Sequence, residues 1–178
     1  MKKILVVLCA VLLFMGCGCE MNDKKPDEAV ETFFEKYRSK DDDIITQLKD
    51  TIKNEDLTDD AKEKYEKLME KQYDQFAYVI KDTKEEEKAA TVTVELTVLN
   101  YRSAILKAEE ELKAHPEKFN DEEGKFSEDK YMDYKIEKMS EVTDTTTHTV
   151  DLSLTKENGM WKVDQLSSDD ISKLHGLY

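Results

Sequence analysis

Apolar residues follow three successive patterns along this chain of 178 residues. The first is an unbroken run from Ile4 to Met15, directly behind Lys2 and Lys3. From Pro26 to Phe76 the apolar positions recur at intervals of three and four, the period of a helix that turns one face to a core. Ala29, Val30, Phe33, Phe34 and Tyr37 make one such stripe. Ile44, Ile45, Leu48 and Ile52 make a second, and Ala61, Tyr65, Leu68, Met69, Gln72, Tyr73 and Phe76 a third. Each has a start signal. Pro26 suits a first helical turn and is followed by Asp27, Glu28 and Glu31, which complement the positive end of the helix dipole. Asp41, Asp42 and Asp43 cap the second helix, and Thr58, followed by Asp59 and Asp60, caps the third.

The third pattern is alternation. Phe76 to Asp82 reads as a strand and Thr83 to Lys88 as a charged turn. Ala89 to Tyr101 then alternates strictly, with Ala90, Val92, Val94, Leu96 and Val98 on one face and Thr91, Thr93, Glu95 and Thr97 on the other. A one-residue slip would turn all five aliphatic side chains to water, at about 1.5 to 3 kcal/mol for each larger one, so the register is firm. From Thr145 to Leu154, His148, Val150, Leu152 and Leu154 share a parity. Asn158-Gly159 marks a tight hairpin, because both central residues of that turn need positive φ. Met160 to Asp164 is the returning strand, with Trp161 and Val163 on one side.

Residues 102 to 142 interrupt the strands. Arg102 to Ala114 is helical, with Ala104, Ile105, Ala108 and Leu112 on one face, and it stops before Pro116. Phe119 to Phe126 is a loop, and Ser127 caps a further helix carrying Tyr131, Met132, Met139 and Val142. Ser167 or Ser168 caps a terminal helix, Asp169 to Leu174, ending near Gly176. The expected class is α+β: N-terminal helices on an antiparallel sheet with a helical insertion, forming one domain over residues 26–178.

The leading run is too short to cross about 30 Å of hydrocarbon, which takes about 20 apolar residues. A basic start, an apolar stretch and the small residues Gly16 and Gly18 are the order of an export signal, residues 1–16, with 17–25 as a polar tether. Leu13-Phe14-Met15-Gly16-Cys17 resembles the lipobox of bacterial lipoproteins, whose cysteine is diacylated and becomes the mature N-terminus. Gly16 fits that pattern, Phe14 and Met15 depart from it, and Cys19 is the rival acceptor. The resemblance implies lipidation at Cys17 and attachment to a membrane through diacylglycerol. Two acyl chains anchor stably where one does not. Basic side chains that are lysine except for Arg38 and Arg102 add a likeness to low-GC Gram-positive chains, which implies the outer face of the cell membrane.

Cys9, Cys17 and Cys19 are the only cysteines, so the exported domain holds no internal pair and its stability comes from packing. Losing Lys2 and Lys3 takes the net charge from −14 to −16. A surface of that sign repels phosphate backbones and argues against nucleic-acid binding. No HExxH, CxxC, GxSxG or P-loop spacing occurs. Phe119 to Lys130 carries a glycine at the sixth place of a calcium loop, but Phe119 and Lys130 stand where oxygen ligands belong. No metal or cofactor is implied. Among the histidines, His115 precedes a proline and is expected to be solvated, and His175 is expected in a frayed terminus. His148 alone has inward strand parity, at a cavity mouth or an exposed strand end.

Pro26-Asp27-Glu28-Ala29-Val30 running into Phe33-Phe34, with the final Asn158-Gly159-Met160-Trp161-Lys162-Val163-Asp164 hairpin, is similar to the NTF2-like lipoproteins of the DUF4878 and DUF5105 type. The resemblance implies a curved sheet wrapped against helices around a conical cavity, with His148, Tyr37, Phe34 and Trp161 as possible lining. The stretch 102–142 departs from the minimal fold. The leading functional expectation is a non-catalytic module binding a small apolar ligand or an envelope protein. One alternative is an isomerase or dehydratase with His148 as base. The other is a structural lipoprotein working through the 102–142 arm.

Overall fold

The computed structural model describes residues 25–178. The signal segment, Cys17, Cys19 and tether residues 17–24 lie outside the described residues. Among the described residues, six α-helices and four strands run in the order α1 (Pro26–Arg38), α2 (Asp42–Lys53), α3 (Asp59–Gln75), β1 (Ala77–Glu85), β2 (Ala89–Leu99), α4 (Tyr101–Ala114), α5 (Glu128–Ser140), β3 (Thr145–Glu157), β4 (Met160–Val163) and α6 (Ser168–Leu174), with a single 3-10 turn at Pro116–Phe119. The strands pair antiparallel in chain order.

The helix starts follow the chemistry that the sequence carries. Asp41 accepts from the backbone N–H of Asp43, Thr58 from Ala61, Ser127 from Lys130 and Ser167 from Asp170. Each side chain satisfies a first-turn N–H that has no partner within its own helix. Val30, Phe33, Phe34 and Tyr37 are the buried face of α1, and Ile44, Leu48 and Ile52 that of α2.

The inward row of β2, Ala90 through Val98, is buried together with Val150, Leu152 and Leu154 of β3. Helices α1, α3 and α6 lie against β2, and α1 also reaches β1 and β4. The other sheet face is wet. Thr91 pairs across to Ser153, Thr93 to Asp151 and Thr97 to Thr147, with the β3 members of these pairs exposed. The hairpin forms as expected, with Asn158 at φ 52° and Gly159 at φ 82°.

Three strand boundaries differ from expectation by two residues or more, and one of them is β3, which runs past Leu154 to Glu157. β1 continues to Glu85 because the register shifts between Ile80 and Asp82. That bulge reverses the alternation, so Thr83 pairs with Val92 and donates to the carboxylate of Asp27 on α1. At the other end, β2 stops at Leu99. Asn100 accepts from the N–H of Ser103 and opens α4, whose first residue, Tyr101, is buried and donates to the Leu68 carbonyl at 2.9 Å.

The insertion folds as α4 and α5 around a small core of its own, made by Ala108, Phe119 and Tyr131 with Leu112 and Tyr134 against them. It is joined to the main body by Tyr101, Ala104, Ile136 and Met139, which are buried in the main core, and by Lys71 of α3, which donates to the carbonyls of Ser140 and Val142, at 3.2 and 3.0 Å.

Candidate functional site

Two of the expected lining residues, Phe34 and Tyr37, sit one helical turn apart on α1 and face the sheet. Their rings belong to a continuous aromatic run. Phe33 meets Phe34 at 5.2 Å and Tyr37 at 5.3 Å between centroids. Phe34 meets Phe76 at 5.7 Å and Tyr78 at 4.6 Å, and Tyr37 meets Tyr73 at 5.3 Å. Edge-on and tilted pairs at these distances add about 0.5 to 1.5 kcal/mol each beyond their burial, so the run is a packed wall. Trp161 of β4 is buried in the same core, with the Lys156 ammonium 5.2 Å over its ring.

His148 is placed elsewhere, on β3 opposite Leu96, where the C-terminal residue covers it. The Tyr178 ring stands edge-on at 5.7 Å. Its Nε2 is buried without a hydrogen-bond partner. Partial burial, helped by the charge of Lys173, lowers its pKa below the usual histidine value. The ring is therefore neutral at pH 7 and can accept a proton. The structure thus brings Phe34 and Tyr37 into one aromatic wall, puts Trp161 elsewhere in that core, and sets His148 under the chain end.

His115 is half-exposed beside Glu117, as expected. His175 is not frayed. It is only 6 % exposed, because α6 packs onto β2 and its end is hydrogen-bonded to Gln72 and Tyr73 of α3. The residues around it form a polar seam inside the apolar core. Gln72 is fully buried, its Oε1 accepting from the Leu99 N–H at 3.0 Å and its Nε2 donating to the Leu174 carbonyl at 3.1 Å. The Tyr73 hydroxyl and His175 Nε2 share a hydrogen bond of 3.2 Å. His175 Nδ1 and the Tyr37 hydroxyl are buried without partners. Burial drives the phenols of Tyr37 and Tyr73 well above their ordinary value and the imidazole of His175 down to about 4. All three are neutral at pH 7. The sequence signal for this seam is Gln72, an amide in an otherwise apolar helical stripe.

The outer side of α1 offers a shallow, open groove of about 480 Å³, lined by Glu31, Thr32, Glu35, Lys36, Ser39 and Tyr78. On the arm, Lys135 is buried with its ammonium 4.7 Å over the Tyr131 ring, and burial lowers its pKa. Leu106 of α4, 43 % exposed, and Phe126 before α5, 52 % exposed, are large apolar side chains open to water. Among the described residues no group of three His, Cys, Asp or Glu side chains is placed to hold a metal, and no helix is long and apolar enough to cross a membrane. Compared with family models, curated proteins and solved structures, the chain matches none.

Proposed function

We propose that this protein is a non-catalytic lipoprotein, tethered through diacylglycerol on Cys17 to the outer face of the membrane, with an NTF2-like body that binds an envelope protein through the 102–142 arm. The observation that carries the reading is the aromatic wall. Phe33, Phe34, Tyr37, Tyr73, Phe76 and Tyr78 touch one another between α1, α3 and the sheet, where a cone-bound ligand would sit. The protein's own rings take the place of an apolar ligand, which moves recognition to the surface. The arm supports that surface: it has its own small core and carries Leu106 and Phe126 in water. A partner that covers these two side chains would take their apolar surface out of water.

The anchor is tested by labelled palmitate, which enters the wild type and is absent from Cys17→Ala. Label retained in that variant moves the acceptor to Cys19. The binding surface is tested on membranes with a photo-crosslinking residue at Leu106. A discrete adduct that disappears with Phe126→Asp, and that a crosslinker at Lys84 does not give, is the expected result. Equal labelling from both positions refutes the arm as the working surface. A stoichiometric small molecule retained in native mass spectrometry refutes the filled interior.

A further inference from the structure

α6 has only seven residues, too few to be stable as a helix in isolation, so contacts with the body hold it in place. Ile171 and Leu174 are buried, and Leu174 is part of the main core; around them the contacts are polar and directional. Gln72 bonds the Leu174 carbonyl with one end of its amide and the Leu99 N–H with the other. The Arg102 N–H donates to the Gly176 carbonyl at 2.8 Å. At Gly176, φ is +70° and a Cβ would stand 1.9 Å from the Leu99 carbonyl oxygen, so the chain lies directly on the end of β2. Beyond it Tyr178 covers His148, with the Lys173 ammonium 5.1 Å over its ring. His175, in the middle of these contacts, has one ring nitrogen bonded and the other buried without a partner.

We propose that the C-terminal segment, residues 168–178, is an acid-released latch on the core, held closed by Gln72, Tyr73 and Leu99 and opened when His175 gains a second proton. A neutral imidazole is satisfied at Nε2 by Tyr73. A cationic ring needs an acceptor at Nδ1 as well, where none stands. The groups that face the ring cannot compensate for its charge. From α3 it meets the Tyr73 phenol and, behind that, from α1, the Tyr37 phenol. β2 supplies Leu99. α4 supplies the Arg102 backbone, whose guanidinium is turned to Glu109 at 4.0 Å. On α6 itself Lys173 is paired with Asp170 at 3.2 Å.

Burial alone accounts for holding the His175 pKa at about 4, and release returns the ring to water near 6.5. Protons therefore favour the open segment. Its population rises about 30-fold between pH 7.5 and pH 5, and toward about 300-fold below pH 4. Opening would be local, because the strands beneath do not depend on α6 for their ladder.

Hydrogen exchange of the full chain, followed by mass spectrometry at pH 7.5 and 5.0 and corrected for intrinsic rates, tests this. Peptides over residues 168–178 should lose protection about 30-fold at pH 5 and, at both pH values, exchange faster than peptides within β2, which open only with the whole domain. His175→Gln should remove that dependence and His148→Gln should keep it. Equal protection over 168–178 and β2 at both pH values, no acceleration, or a dependence that survives His175→Gln overturns the latch. So does one that is lost with His148→Gln. Should His175→Gln fail to fold, NMR titration of the wild type decides: a His175 ring that titrates near pH 6.5 while the segment stays protected overturns it as well.

Discussion

Gly159 and Gly176 share a backbone conformation and differ in surroundings, so replacing each by alanine separates backbone strain from close packing. Gly159 has φ +82° with nothing within 4 Å of the site a Cβ would take, whereas Gly176 has φ +70° and the Leu99 carbonyl oxygen 1.9 Å from that site. The left-handed conformation costs an L-residue about 1 to 2 kcal/mol, and the stiffer unfolded chain returns part of it, leaving about 1 kcal/mol for Gly159→Ala. Gly176→Ala carries the same strain and must also push the chain end off β2. That displaces the Arg102 N–H bond to the Gly176 carbonyl and strains the Gln72 bond at Leu174. At about 1 kcal/mol for each bond, the total is about 3 kcal/mol. Urea unfolding followed by Trp161 fluorescence should show unchanged slopes and midpoints that differ accordingly. In thermal unfolding, Gly159→Ala should lower Tm by roughly 3 °C and Gly176→Ala by roughly 9 °C. Equal losses, within about 0.5 kcal/mol, would refute the reading of Gly176 as a packed contact.

Gln72→Met keeps the length of the side chain and removes both hydrogen bonds, leaving the Leu99 N–H and the Leu174 carbonyl buried and unpaired; a loss of about 3 kcal/mol in urea is expected, and a loss under about 1 kcal/mol contradicts it. Acid should weaken the whole domain through His175. The folded value lies at about 4, below the unfolded 6.5, so only the unfolded chain takes up the proton between those values. Stability is therefore complete above about pH 6.5 and falls by about 3 kcal/mol by pH 4, in addition to any carboxylate effect. His175→Gln should remove that share, and an unchanged difference between pH 7 and pH 4.5 would contradict the assignment.

Much of the fold was legible because local chemistry and tertiary packing agree. Thr58 and Ser127 are caps in the sequence and caps in the structure, the choice between Ser167 and Ser168 falls to Ser167, and the alternation from Ala90 to Val98 survives because one whole face of β2 is buried. The helix–sheet layering follows from these together with the Asn158-Gly159 turn. The places that were not legible are those where a distant partner overrides the local pattern. Thr83 points inward only because the bulge at Lys81 reverses the parity of β1 and Asp27, far away in sequence, accepts its hydroxyl. Tyr101 continues the alternation of β2 on paper. In the fold, Asn100 caps a helix there and the Leu68 carbonyl takes its hydroxyl.

His175 is the deepest case. Seven largely polar residues near a chain end look like a fraying helix, and nothing local reveals that Gln72 and Tyr73, more than a hundred positions earlier, anchor it from α3. The one clue was Gln72 itself. An amide in an apolar stripe has either to turn to water or to find buried backbone partners, and its complete burial between Leu99 and Leu174 shows the second outcome. With His175 neutral only its Nδ1 lacks a partner, whereas a second proton would make that buried site a charge without an acceptor, so the contact that closes the fold is also the one a proton would weaken.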